Sequence, residues 1–263
     1  MKNLLGALRI DLRRAFISPF FLATVFLIVL LNYISISQEY SYGPYSGIVY
    51  FYEMFVIGGS FSLVSMFLGI IPYGQSFCVD WKNQFIRSNV IRTTKNAYAW
   101  SKVISVALSA FGAVFIGYIV TLILFSLHMP MVGGDFAELG YEAYNDTVFG
   151  PLMMISPLLF LLVRICIFSF SCMFWAVFAL LISSYYPNVF VVFSAPVITY
   201  YVVINSIGRY LPIYLRFNTL HQGIVDMGGP LLSFIYVILF FLSLSILSGV
   251  LFCRKVKRRL ANG

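Results

Sequence analysis

Six long apolar runs, separated by short polar interruptions, make up most of this chain. They fall at about 19–37, 48–73, 98–127, 152–183, 189–207 and 231–252. A helix needs roughly 20 apolar residues to cross the hydrocarbon core of a bilayer, and these runs meet that length. They are too long for membrane strands and lack period-two alternation, so the expected fold is all-α, with six transmembrane helices in a single domain over 1–263. The third and fourth runs exceed the minimum, which implies tilt, kinking or extension into water. Pro72, Pro157 and Pro196 lie within or at the ends of runs and mark the expected bends.

The segments outside the runs are patterned too. In residues 1–18, Leu5, Leu8, Leu12 and Phe16 recur at helical spacing, with Lys2, Arg9 and Arg13 away from them. That pattern predicts an amphipathic helix on the membrane interface, its basic face toward anionic headgroups. Ser18-Pro19 then reads as a cap and first-turn proline opening the first span. A secretory signal peptide is the competing reading. The charged lead containing Asp11 and the missing small-residue cleavage site argue against it.

The largest polar interruption, 78–102, carries Asp80, Lys82, Arg87, Arg92, Lys95 and Lys102. Within a loop over 74–97, residues 79–88 read as a short amphipathic helix with Trp81, Phe85 and Ile86 on its apolar edge, and 89–96 as a basic connector. Ala97 onward belongs to the third span, with Lys102 expected at the interface one turn above Tyr98. Such an edge suits a groove on a soluble partner; the alternative is a membrane-surface turn that uses Trp81 as an interfacial anchor. Tyrosines at 40, 42, 45 and 50 look like an aromatic belt beside the first polar loop. Residues 183–188 form a tight turn. Segment 208–230 mixes Arg209, Arg216, His221 and Asp226 with Leu211, Ile213, Leu215, Phe217 and Leu220. It is too interrupted to span, so a re-entrant or interfacial element is expected there.

The chain is 61% apolar and 10% charged, against about 45–50% and 25% in soluble domains, which places it in the membrane class. The net charge of +8 is not a nucleic-acid signature, because the basic residues cluster at the ends of apolar runs. Lys2, Arg9, Arg13 and Arg14, the loop cations, and Arg254, Lys255, Lys257, Arg258 and Arg259 fall on one side if there are six spans. The positive-inside rule makes that side cytoplasmic, with both termini, in a plasma-membrane protein. The loop with Asp135, Glu138, Glu142 and Asp146 is then outside, as ordinary solvated charges or the lining of a vestibule.

Chemistry of its own is sparse. Cys78, Cys166, Cys172 and Cys253 form no Cys-x-x-Cys pair, and no metal-ligand spacing links His128 or His221 to acids. No His-Glu-x-x-His, nucleophile elbow or phosphate-binding loop occurs, so no enzyme activity, cofactor or metal is expected in this chain. Small residues recur along two runs: Gly58, Ser62, Ser65 and Gly69 in the second, and Ser101, Ser105, Ser109, Ala113, Gly117 and Thr121 in the third. In lipid, such stripes let helix backbones approach closely, and helix packing is favoured over a substrate-lining role. Arg164 lies deep in the fourth run, where an ionised group requires a partner or water. Glu53 is its most plausible partner, either as a structural ion pair or as a charge on a substrate pathway.

Asp80 near the end of the second run, a short amphipathic segment, Arg87 and Arg92, then Tyr98-x-x-Ser101-Lys102 opening the third, together resemble the permeases of type 2 ABC exporters. The N-terminal interfacial helix ending in Ser18-Pro19, the six spans and segment 208–230 resemble that family in layout across the whole chain. Asp80 and Asn83-Gln84 stand where the family often has Glu and Gly. The resemblance implies two six-span permeases, identical or paired with a related one. It also implies two cytoplasmic ATP-binding subunits that bind ATP and magnesium, with coupling through Asp80, Trp81, Phe85, Ile86, Arg87, Tyr98 and Lys102. Export rests on the resemblance; hydrophobic or amphipathic cargo such as a peptide, lipid or drug suits the aromatic-rich spans. The rivals are a channel or secondary carrier, and a non-transporting scaffold or immunity-type protein.

Overall fold

Helix starts in this chain are set by short polar side chains that accept from otherwise unpaired amides. Ser18 accepts from the Phe21 amide at 3.2 Å, Thr94 from Ala97 at 3.2 Å, Ser156 from Leu159 at 3.4 Å and Asn188 from Phe190 at 2.9 Å. Two of these caps precede a proline, Pro19 and Pro157, whose missing N–H costs nothing in a first turn. The computed structural model describes residues 2–40, 47–58, 60–86, 93–133 and 148–262. Arg87, Arg92, Tyr42, Tyr45 and the acids at 135, 138, 142 and 146 lie outside them.

Among the described residues there is helix and turn but no strand. The elements are α1 (Lys2–Phe16), α2 (Pro19–Tyr40), α3 (Gly47–Phe51), a π-helical turn (Tyr52–Ile57), α4 (Ser60–Leu68) and α5 (Ser76–Lys82). They continue with α6 (Lys95–Ser126), α7 (Gly150–Ile155), α8 (Pro157–Tyr185), α9 (Val189–Val202) running into a second π-helical turn (Val203–Ile207), α10 (Phe217–His221) and α11 (Pro230–Asn262). Five helical stretches are long and apolar enough to cross a membrane: Pro19–Ser37, Lys95–Ser126, Pro157–Tyr185, Val189–Ile207 and Pro230–Leu260.

The run expected to form the second span, 48–73, is not one continuous helix. It is divided into α3, the π turn and α4, and helix gives way to turns after Leu68. A π turn shifts the hydrogen-bond register by one residue and re-aims the side chains around it. Here it carries Glu53, and the Gly58 amide closes it on the Glu53 carbonyl at 3.0 Å. A Cβ at Gly58 would lie 2.6 Å from that carbonyl oxygen, so the closure requires glycine.

α8 is the central helix, with most of its residues buried, while α9 is largely exposed at the periphery. α6 and α8 run antiparallel, with Phe111 against Phe170 at 5.0 Å and Tyr118 against Phe168 at 5.1 Å between ring centroids. Trp175 fills the middle of the bundle against Phe67, Tyr200 and Phe217. Tyr52 donates to the Tyr118 carbonyl at 2.6 Å, tying the π turn to α6.

Both small-residue stripes are contact surfaces except at Gly58, which is exposed because it closes the π turn ahead of α4 and so leaves the face of Ser62, Ser65 and Gly69. Ser62 and Ser65 are buried, and a Cβ on Gly69 would lie 3.3 Å from Val114 on α6 and 3.5 Å from Cys172 on α8. Ser101, Ser105, Ser109, Ala113 and Thr121 are buried along α6. At Gly117 the neighbour is Ile28 of α2, whose Cγ2 would stand 2.8 Å from an added Cβ. Asn32 of α2 donates to Thr121 at 3.3 Å a turn further on. The α6 stripe therefore serves mainly to receive α1 and α2.

Candidate functional site: two buried charge clusters at opposite ends of the bundle

The first cluster gathers on the opening turns of α6. Lys102 Nζ lies 3.1 Å from Asp11 Oδ1, 2.9 Å from Asp80 Oδ2 and 2.9 Å from the Tyr73 hydroxyl. Tyr73 donates to Asp11 at 2.6 Å, Ser101 donates to the other Asp11 oxygen at 2.6 Å, and Tyr98 donates to Asp80 at 2.8 Å. The Tyr73 ring lies under the ammonium at 4.7 Å. Four segments thus meet on one cation: α1 through Asp11, the turn after α4 through Tyr73, α5 through Asp80, and α6 itself.

Desolvating three charges costs several kcal/mol per ion unless each is paired and hydrogen-bonded, and the three hydroxyls supply the remaining bonds. Lys102, expected at the interface, is enclosed by protein. It is 1% exposed, because Asp11 and Asp80 reach it from elements that cover it. A cavity of about 460 Å³, lined by Arg14, Ser18, Tyr73, Asp80, Phe85 and Lys102, opens beside the cluster.

The sequence pattern singled out Asp80, Tyr98, Ser101 and Lys102 but missed Asp11 and Tyr73 as their partners. One signal was available: Asp11 is the sole acid in a basic helix, at helical spacing from Ala7 and Ala15. In the structure Asp11 and Ala15 form the inward face, while Leu5, Ile10 and Phe16 remain exposed.

Next to the cluster is an exposed edge. α5 spans Ser76–Lys82 rather than 79–88, and the chain then turns through Asn83 and Gln84, the latter at φ 56°. Trp81 is 39% exposed and Phe85 54%, with Val79 exposed beside them. Ile86, expected on the same edge, is instead 3% exposed in the apolar core shared with Tyr98 and Val103. The turn after Lys82 breaks the helical register that would have aligned it with Trp81. The Arg259 guanidinium stacks 4.9 Å from the Trp81 ring and donates to the Tyr185 carbonyl at 2.7 Å. The basic end of α11 thereby braces α5 against the end of α8. A cleft of about 710 Å³ lies between α5 and the 187–189 turn, with Trp81, Lys82 and Asn188 on its walls.

The second cluster lies at the other end of α8. Arg164 donates from Nε to Glu53 Oε1 at 2.8 Å and from Nη2 to Oε2 at 2.7 Å, a bidentate pair with both side chains nearly buried. The π turn aims Glu53 at α8, and the segment after α10 closes over the arginine. Gly223, at φ 63°, passes so close that a Cβ there would collide with Arg164 Nη1. His221 is buried nearby, its Nδ1 3.0 Å from the Phe217 carbonyl. Segment 208–230 holds only a short 3₁₀ turn, Ile213–Leu215, and α10, so it is packed against the bundle without spanning it. Among the described residues no group of three or more His, Cys, Asp or Glu could hold a metal ion.

The chain matches no protein-family model, no curated protein and no solved structure. What fold and composition define is an all-helical protein with five helices able to cross a membrane by length and apolarity.

Proposed function

We propose that the chain is the permease subunit of an ATP-driven exporter, docked through its α5 edge to a separate cytoplasmic ATP-binding subunit. The observation that carries this reading is the Lys102 cluster directly behind the Trp81–Phe85 edge. A partner that seats an apolar groove on Trp81 and Phe85 pulls on α5. Asp80 cannot leave Lys102 without stranding a buried charge, at a cost of about 3–5 kcal/mol. α5 therefore moves with α6 and, through Asp11, with α1. A push at the surface becomes a displacement of a membrane-spanning helix, α6, together with the interfacial helix α1, as alternating access requires.

In this reading the broken 47–68 segment completes a sixth crossing, both termini are cytoplasmic, and a second permease copy or a related one completes the pathway. Hydrolysis of ATP with magnesium belongs to the partner. The cargo is hydrophobic or amphipathic.

The test is affinity purification in mild detergent. A subunit with nucleotide-binding motifs should accompany the chain, and Trp81→Ala with Phe85→Ala should release it or uncouple its ATPase from transport. Unaltered binding and coupled transport in the double variant would remove the docking assignment. Nucleotide-independent flux with no ATPase attached would favour a channel or carrier.

A further inference from the structure

The Glu53–Arg164 pair borders a cavity of about 310 Å³, walled by Phe149, Phe160, Gln222 and Ile224 as well as the two charged residues. Three irregularities converge on this one place. The helix is π-wound at Glu53, Gly58 is required to close that turn, and Gly223 is required to pass over Arg164. π turns occur frequently at functional sites, and backbone irregularity at membrane depth persists where it is buried in protein or lines a watered cavity.

Position along α8 sets what such a cavity meets. The helix has 29 residues, roughly 44 Å at 1.5 Å per residue, against a hydrocarbon core of about 30 Å. Arg164 lies roughly 10 Å along it from Pro157, so with α8 centred in a bilayer the pair sits just inside the headgroup boundary. Charge narrows the ligand further. The pair is neutral, so a ligand with one charge would compensate one residue and oppose the other in a low-dielectric site. A ligand carrying both charges a few ångströms apart can face both residues at once, with its anion toward Arg164 and its ammonium toward Glu53.

We infer that this cavity binds the zwitterionic end of an amphipathic molecule, an ammonium close to a phosphate or carboxylate, with the apolar part against Phe149, Phe160 and Ile224. The inference deepens the transport reading by naming a cargo class. The binding site itself needs only this chain.

The purified chain in maltoside detergent is titrated with dihexanoyl phosphatidylethanolamine, dihexanoyl phosphatidylglycerol and free phosphoethanolamine. Saturable binding of the first is expected, at least tenfold tighter than either of the others. Ile224→Trp projects from an exposed position into the cavity and should weaken binding at least tenfold with unchanged thermal unfolding. Glu53→Gln with Arg164→Gln removes both charges without stranding one, and should bring the two lipids within twofold of each other. Non-saturable binding, indifference to Ile224→Trp, or equal or tighter binding of phosphatidylglycerol would overturn the proposal. Equal binding of free phosphoethanolamine would overturn its amphipathic half. Binding without any co-purifying ATPase would leave the site standing and remove the exporter reading; an attached ATPase without binding would do the reverse.

Discussion

Lys102 carries a full charge at 1% exposure, and two carboxylates and a tyrosine hydroxyl make that tolerable by reaching it from three other segments. Lys102→Met keeps most of the volume but leaves Asp11 and Asp80 buried with no cation between them. The expected loss is about 3–5 kcal/mol, read as a lower thermal unfolding temperature in detergent. Tyr98→Phe removes one bond to Asp80 and should cost about 1–3 kcal/mol on the same assay. An unchanged unfolding temperature for Lys102→Met would show that the cluster does not hold α1, α5 and α6 together. His221 behaves differently. Burial, with the Arg164 charge adding to it, pushes this imidazole down to about 4. The unfolded chain, titrating near 6.5, then binds more protons over that interval, so stability falls as pH drops from about 6.5 toward 4. His221→Gln should flatten that acid limb of a denaturation profile.

At the scale of elements, α2 packs on α6 through a contact that only glycine permits. Gly117→Val drives a side chain into Ile28 and should cost about 1–3 kcal/mol. Adding Ile28→Ala should restore part of that loss, so the double variant is more stable than the sum of the singles predicts. Strict additivity would mean that the helices meet elsewhere. The small-residue spacing was legible as a packing face because a fourth-residue repeat stays on one side of a helix. The identity of the facing helix was not, since any apolar helix fits such a groove. The 48–73 run read as one span because apolarity is continuous through it, whereas the π turn follows from Glu53 reaching Arg164 and from Gly58, neither of which alters hydropathy. Ile86 was misplaced for a related reason: the positive φ at Gln84 breaks the helical register on which the apolar edge was counted.

For the whole molecule, the count of crossings decides where the termini lie. With six, a cysteine introduced at His128 should be labelled from outside intact cells by a membrane-impermeant maleimide, and one at Lys255 only after permeabilisation. Labelling of both from the same side would exclude that topology. Native Cys78 contributes little background, because burial pushes its thiol up to about 11 and leaves almost no thiolate at neutral pH.

Composition and periodicity alone determine that this chain is helical, lipid-compatible and capped at Ser18, because burial preference and capping act over a few neighbouring residues. They also single out Arg164 as a charge in need of a partner, and name Glu53 for it, since an isolated charge in an apolar run is costly wherever the run lies. Tertiary structure alone decides that Lys102 is buried with Asp11, Asp80 and Tyr73 as its partners, and that Glu53 meets Arg164 in a bidentate pair. Asp11 and Lys102 have α2, α3, α4 and α5 between them in sequence, and Glu53 and Arg164 lie 111 residues apart. Contacts at that separation are fixed by how whole helices dock, and no local pattern records the result.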